Sequence, residues 1–360
     1  SSTRIMSKST ELLREVVPSN LAYMIYTSGT TGKPKAVRCN HQGPLNMLNL
    51  DWYGHGKVGV DVIGLCANYI FDMSIDCLFS SFGVGLALSL DMKNCTMLEC
   101  TPALAPLLLD DPTNNIHSLM VGGEACPLGL DQRCAHFQNL YGPTECSIKC
   151  TSSSSSSTIG KPLPNSISYV VHNDDGTLCA PGVSGELWIG GIGVSQGYHN
   201  RPELTSEKFI PNPFEPEKGM IYKSGDRVKW DNNGELVYLG RFDHQVKVRG
   251  YRIELGEIES ELEKQESVSK ALVMVHNERL VGYVITHRDN KGRIDTGATA
   301  SAPLLGKETV ASVTEGDRLK AILESHECPL PKYMVVTYKL CIKKYFVSRE
   351  RKERARLATY

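Results

Sequence analysis

Short apolar runs that end in Gly, Asp or Ser alternate with stretches of helical period along the first half of the chain. "LAYMIYTSG", from Leu21, is apolar and aromatic and stops at Thr-Ser-Gly, which predicts a buried strand opening into a turn. "DVIGLCANYIF" (residues 61–71) and "HSLMVGGEA" (residues 117–125) repeat that pattern, and "PALAPLLLDD" between them reads as helix. Strands alternating with helices predict an α/β core with parallel strands, whose ligands bind beyond the strands' carboxyl ends. The stretch after Tyr26, Asp72 and Glu124 all fall at such ends.

Near residue 160 the texture changes. "SISYVVHNDDGTLCAPGVSGELWIGG" has short β-rich runs broken by Asp-Asp-Gly, Pro-Gly and Gly-Gly turns, and "GELVYLGRFDHQVKVRGYRIEL" continues in strands. "ELGEIESELEKQ" then places Leu255, Ile258 and Leu262 on one helical face with glutamates on the other. "KALVMV" and "LVGYVIT" follow as strands. The division this predicts is an α/β core over 1–158, incomplete at its N-terminus, a β-rich subdomain over 159–242, and a small mobile α+β domain over 243–360. "TSSSSSST" (residues 151–158) and roughly residues 290–315 read as mobile loops.

Composition narrows the class. The 360 residues are enough for two or three domains, and 39 basic against 40 acidic residues leave a net charge of −1. That balance gives no support to a nucleic-acid or membrane-surface partner. No apolar run approaches the roughly 20 residues that span a bilayer, and the polar start has no signal core. Twelve cysteines without CxxC pairs read as reduced thiols of a cytoplasmic protein.

The stretch "YTSGTTGKPKAV" (residues 26–37) carries the first chemistry. It is not a Walker loop, because only two residues separate Gly29 from Gly32-Lys33 and Pro34 stands where a magnesium-binding hydroxyl belongs. Thr27, Ser28, Thr30 and Thr31 offer hydroxyl donors, Gly29 and Gly32 allow close backbone approach, and Lys33 and Lys35 add charge. Such a loop can wrap phosphates; alone, it reads more readily as a solvated turn.

Further motifs follow in fixed order: "FDMS", "NLYGPTEC", "GELWIGGIGVSQGYHNRPELTSEKF", "YKSGDRVKW" and "GRFDHQVKVRGYRIELGEIE". Together with the hydroxyl-rich loop, this set resembles the adenylate-forming enzymes, and most of all the amino-acid adenylation domains of nonribosomal peptide synthetases. The resemblance covers about residues 20–357. It implies the fold of that family: a large α/β core, a β-rich subdomain and a small C-terminal domain. It also implies a two-step reaction. A carboxylate attacks the α-phosphate of ATP to give an acyl-adenylate and pyrophosphate, and the acyl group then passes to the phosphopantetheine thiol of a carrier domain.

The resemblance assigns roles residue by residue. Residues Thr27, Ser28, Gly29, Thr30, Thr31, Gly32 and Lys33 would hold the β- and γ-phosphates, with Gly123 and Glu124 also at the nucleotide. Tyr141 would give adenine a ring to stack on, Thr144 would contact the α-phosphate, and Glu145 would bind Mg2+. Asp226 would accept the ribose hydroxyls beside Arg241. Asp243 matches the hinge of the small domain, and Lys247, Arg249 and Gly250 would face the carrier's thiol in the second step. Taken singly, Tyr141, Glu145, Asp226 and Asp243 read as turn or surface residues.

Asp72 matches the carboxylate that binds a substrate α-ammonium; the alternative is an N-cap of the following helix. The side-chain pocket carries over to Met73, Asp76, Glu99, Met120, Gly122, Leu140, Ile148 and Lys149. The acids suit a long polar or cationic side chain, unless they pair with Lys149, and Gly122 leaves space. The chain also resembles fungal siderophore synthetases, which load N-hydroxyornithine derivatives.

Three departures stand out. The segment between Asp72 and Glu99 is shorter than the family's, and the long N-terminal part of the core is missing. Either pieces of a longer chain are joined here or the product is truncated; a truncated core would expose much apolar area and fold poorly. Ala36 replaces a usual glycine. The family's C-terminal lysine falls on Lys352 in "FVSRERKERARL", where a flexible Asn-Gly has become Glu350-Arg351, so a basic solvated helix is the alternative. The sequence lacks HHxxxDG and GGxS patterns, so carrier and condensation domains would be separate partners of a monomeric unit. The rivals are an acyl- or aryl-CoA ligase, which would lack Asp72, and a degenerate nucleotide-binding scaffold.

Overall fold

A computed structural model describes residues 15–28, 34–48, 61–243, 245–248, 251–265, 268–276, 279–286 and 337–340. Strands β1 (Leu21–Thr27) and β2 (Lys35–Asn40) form an antiparallel ribbon, followed by helix α1 (Gln42–Leu48). The run at Leu21 is thus a strand, but not the buried parallel strand expected. Of β1, only Ile25 is buried, whereas its partner β2 packs Val37 and Cys39 into the core shared with the antiparallel sheet.

The parallel strands come next. β3 (Val62–Leu65), β4 (Ala87–Ser89), β5 (Met97–Cys100), β6 (Ser118–Gly122), β7 (His136–Tyr141), β8 (Thr151–Ser153) and β9 (Lys161–Pro162) form one sheet in the order β4-β3-β5-β6-β7-β8-β9. The first five are mutually parallel, and β8 and β9 add antiparallel. Helix α2 (Met73–Val84) ends at Gly85, whose φ of 81° closes the last turn in the left-handed region. A short helix α3 (Ala105–Leu109) follows β5. Alternate residues of the central strands feed two cores. Ile63, Met97 and Met120 pack with Cys77 of α2, while Leu98, Leu119 and Val121 pack with Ala105 of α3. Helices on both faces explain why these strands read as continuous apolar runs.

The serine-rich stretch is ordered rather than mobile. Thr151 donates to the Ile159 carbonyl at 2.6 Å, Thr158 to Glu235 at 2.5 Å, and Ser156 to Asp131 at 2.7 Å. Hydroxyls supplied with fixed acceptors make a strand and tight turn out of a composition that resembles a linker.

A five-stranded antiparallel sheet follows, made of β10 (Ser166–Val171), β11 (Gly185–Gly191), β12 (Phe209–Pro211), β13 (Met220–Trp230) and β14 (Leu236–Arg241), with helix α4 (Pro202–Lys208) before β12. Leu187, Ile189, Tyr222 and Leu236 from it join Val37, Cys39, Tyr141 and Cys146 in one shared core. Then β15 (Gln245–Val248) and β16 (Tyr251–Glu254) pair as a hairpin ahead of helix α5 (Leu255–Glu263). Strands β17 (Val268–His276), β18 (Arg279–Thr286) and β19 (Thr337–Leu340) form the last sheet. Leu255, Ile258 and Leu262 are buried as the period predicts, but so are Glu257 and Glu261. The glutamates of α5 therefore do not all lie on a solvent face.

No helix among the described residues is long and apolar enough to cross a membrane. The ten described cysteines named in the structure are free thiols. Gly29, Thr30, Thr31, Gly32, Lys33, Arg249, Gly250, Lys352 and the segment 290–315 lie outside the described residues.

Candidate active site

The parallel strands end at a cavity of about 60 Å3. Its walls include Asp72, Met73, Glu99, Gly122, Gly123, Leu140, Thr144, Ile148 and Lys149 from the core, Asp226 and Arg241 from the antiparallel sheet, and Lys247 and Arg252 from the hairpin. Seven of the nine expected substrate residues thus line one space. Asp76 lies beneath it, and Met120 packs in the sheet core and borders a separate cavity of about 270 Å3. Gly122 is required by backbone proximity as well as by space: a Cβ there would sit 2.8 Å from the Leu140 carbonyl oxygen. Glu124, next in sequence to Gly123 of the wall, accepts the Ala103 N–H at 3.0 Å.

Asp72 stands at the N-cap position of α2, yet its side chain makes no capping bond. It is buried, and its Oδ2 has no hydrogen-bond partner. Burial pushes this carboxyl up to about 6, with the bonded Thr144 side chain opposing. The capping alternative therefore fails on geometry.

Below it, Lys149 reaches both acids of the pocket floor. Its ammonium bonds closely to Asp76 and lies 3.3 Å from Glu99, while Ser80 donates to Asp76 at 3.1 Å. All three charged side chains are at most 2% exposed. Burial and then the Asp76 charge raise the Glu99 carboxyl well above its usual range, whereas the two acids hold Lys149 charged against burial. Left-handed backbone at Ser147 and Ile148, with φ of 56° and 80°, turns the chain so that Lys149 points inward. Ser147 braces that turn by donating to the Gly193 carbonyl at 2.7 Å.

A second constellation surrounds Asp226. Arg241 donates to its Oδ1 at 2.6 Å, Tyr238 lies 3.4 Å from the same oxygen, and Tyr141 bonds closely to Oδ2. Arg241 also grips Asp243 through two bonds of 2.6 Å, a bidentate clamp at the expected hinge. Lys247 lies 5.3 Å over the Tyr141 ring, on the surface expected to take adenine.

Glu145 is fully buried and fully engaged. Arg252 bonds its Oε2 at 2.8 Å; Tyr198 donates to Oε1 at 2.7 Å, with the Lys35 ammonium 3.4 Å away. Burial alone would raise its carboxyl, but Arg252, Lys35 and the Tyr198 hydroxyl hold it well below the usual carboxylate range. Burial brings Lys35 down to about 8, against the pull of Glu145. Both oxygens thus have cationic or hydroxyl partners, so the expected Mg2+ ligand does not fit a metal in this arrangement. Among the described residues, no three His, Cys, Asp or Glu side chains converge as a metal site either. Arg252, Tyr198 and the inward role of Lys35 escaped the sequence reading. Arg252 and Tyr198 lie inside motifs already singled out, but nothing in those strings says which carboxylate they meet.

The model of the AMP-binding enzyme family matches residues 3–199, more than half of the chain. The chain belongs to the AMP-binding enzyme family. This bears out the expected adenylate-forming fold. Among the curated relatives of this AMP-binding enzyme is tyrocidine synthase 1 of Brevibacillus parabrevis. It is 38% identical over 292 residues, 74% of this chain and 27% of the relative. Bacitracin synthase 1 of Bacillus licheniformis is 38% identical over 323 residues, 77% of this chain and 6% of the relative. The chain therefore spans about a quarter or less of the length of these relatives. A solved, artificially fused adenylation–PCP di-domain from Klebsiella oxytoca superposes with a TM-score of 0.65 at 26% identity, covering 75% of this chain and 61% of that one. The Vibrio cholerae adenylation domain AlmE, solved with glycyl-adenosine-5'-phosphate, shares the fold with a TM-score of 0.73 at 22% identity, covering 96% and 68%.

Proposed function

We propose that this AMP-binding enzyme activates an amino acid as its aminoacyl-adenylate and passes it to the phosphopantetheine thiol of a carrier domain in peptide synthesis. The carrying observation is Asp72: a buried carboxylate with one unpartnered oxygen, on the wall of the site cavity. Such a group is costly unless a cation meets it, and a substrate α-ammonium is that cation. The amino acid's carboxylate oxygen then bonds to the α-phosphorus as the bridge to the β-phosphate breaks, releasing pyrophosphate. In the second step the carrier's sulfur attacks the acyl carbon, loses its proton and expels AMP.

The chain's groups divide the work by position. Asp72 orients the ammonium, Thr144 faces the α-phosphate, and Thr27 through Lys33 receive the outer phosphates, with magnesium entering as part of the MgATP substrate. Asp226, Arg241 and Tyr141 frame the nucleoside, Gly123 and Glu124 border it, and Lys352 supplies the positive charge that bridges substrate and phosphate. Asp243, clamped to Arg241, is the hinge for the unit beginning at 243; the units 1–158 and 159–242 precede it. Because Glu99 lines the cavity and Asp76 lies beneath it, Glu99 is the pocket acid nearest the substrate side chain. That favours a polar side chain ending in a hydrogen-bond donor or cation, as in ornithine or a modified ornithine for a hydroxamate siderophore. Carrier and condensation domains of the same cytoplasmic synthetase complete the assembly around a monomeric unit.

Amino-acid-dependent ATP–pyrophosphate exchange tests this. The panel holds ornithine, N-hydroxyornithine and its acyl derivatives, lysine, arginine, apolar amino acids, and a fatty and an aryl acid. Exchange with an amino acid, reduced at least about 100-fold in Asp72→Ala, is expected. Exchange confined to a non-amino acid would overturn the assignment in favour of a CoA ligase.

A further inference from the structure

Two thiols on neighbouring strands are placed to react with one another. Strands β3 and β5 run parallel, with Ile63 opposite Met97, Gly64 opposite Leu98 and Leu65 opposite Glu99. The next step of that register sets Cys66, which follows β3, beside Cys100, the last residue of β5. Both project to the same face, since Cys66 packs with Leu98 and Cys100 in the core that holds Ala105 of α3. Neighbouring strands lie about 4.7–4.9 Å apart, inside the roughly 4.4–6.8 Å that separates disulfide-linked Cα atoms. Both thiols are free.

The two sulfurs differ in what they can do. Cys66 is half-buried and Cys100 is buried, so of the pair only Cys66 meets a reagent from solvent. A hydrogen bond from Cys100 holds the Cys66 thiol below its ordinary range against burial, and the same bond, with burial, holds Cys100 well above its own. An accessible, acidic thiol beside a proton-bearing one makes an attacking and a resolving partner. Cys126, Cys134 and Cys179 are partly exposed as well, but burial raises each of them.

We propose that Cys66 and Cys100 form a peroxide-sensitive dithiol, a modification site that closes reversibly to a disulfide. The Cys66 sulfur, its proton lost to solvent, attacks one peroxide oxygen; the O–O bond breaks, and the released hydroxide takes up a proton as water. Cys66 is left as a sulfenic acid. The Cys100 sulfur then attacks the Cys66 sulfur, and its proton leaves with the displaced hydroxyl as a second water. Two thiols are oxidised and one peroxide is reduced. The disulfide joins the strand end beside Glu99 to the segment that runs on to Asp72, two walls of the site cavity. It also removes the thiol proton that the Glu99 carbonyl accepts from Cys66 at 3.1 Å. None of this chemistry depends on which acid the enzyme activates.

The full chain, reduced and then treated with stoichiometric hydrogen peroxide, tests this by alkylation with N-ethylmaleimide and peptide mass mapping. A Cys66–Cys100 link, reversible by dithiothreitol, is expected as the first disulfide. The thiolate fraction favours Cys66, less what its lower basicity takes from nucleophilicity. It should therefore react at least about tenfold faster than Cys126, whose thiol burial pushes up to about 11. In Cys100→Ala the reaction should stop at the Cys66 sulfenic acid, captured by dimedone, and in Cys66→Ser the Cys100 thiol should stay reduced. Prior unfolding in urea should abolish the preference, since only the strand register brings the two sulfurs together. The native map decides alone if circular dichroism shows that Cys100→Ala does not fold. A different first disulfide, equal oxidation of Cys66 and Cys126, or the same pattern in urea overturns the proposal.

Discussion

Two buried charge clusters lie within the same site, and they are built differently. Asp76, Glu99 and Lys149 come from α2, β5 and the turn after β7, all of one sheet and its covering helix. Glu145 meets Lys35 of β2, Tyr198 of the loop before α4, and Arg252 of the hairpin, so its partners come from separate parts of the chain. Desolvating charge is costly in both. In the first, no partner can leave without breaking the sheet core. In the second, Arg252 reaches Glu145 from a separate two-stranded hairpin. Buried charge of the first kind fixes the shape of a pocket; buried charge of the second kind ties separate segments of the chain together.

The largest expected effect breaks the closed cluster. Lys149→Met leaves Asp76 and Glu99 buried together without a cation, and loss of about 3–5 kcal/mol is expected from urea unfolding monitored by circular dichroism. Arg252→Gln should cost less, about 1–2 kcal/mol, because Lys35 and Tyr198 stay at Glu145 and the hairpin can open locally to water. Equal losses from both substitutions would erase the distinction between the clusters.

The smallest effect concerns pH at Asp72, where neither cluster supplies a partner to the free oxygen. Its carboxyl is raised to about 6 from 3.8. The buried charge therefore subtracts stability above about pH 6, and the penalty is relieved as pH falls toward 3.8. Amino-acid binding runs the other way, since only the ionised form attracts the ammonium. Calorimetric affinity should fall about fourfold between pH 7.5 and 5.5, and Asp72→Asn should lack that dependence. A flat profile in the native chain would place the ammonium elsewhere.

Local pattern was a good guide wherever local physics decides. Apolar runs ending in Gly or Asp gave β3 and β6 of the parallel strands, and the 3.6-residue period gave α5, because both reflect which face of an element meets the core. It failed where a partner distant in sequence decides. β1 reads as a core strand but found only β2, and the serine run reads as a linker but found acceptors at Ile159, Glu235 and Asp131. The site divides in the same way. Ordered motifs were enough to place the chain in its family and to nominate Asp72, Thr144, Asp226 and Lys149, since a motif carries the residue types its chemistry needs. Only the tertiary structure decided that Lys149 neutralises Asp76, that Asp72 keeps an unpartnered oxygen, and that Arg252 holds Glu145. Charge pairing depends on distances of a few ångströms between segments as far apart in sequence as Lys35 and Glu145, and nothing in a linear string fixes those.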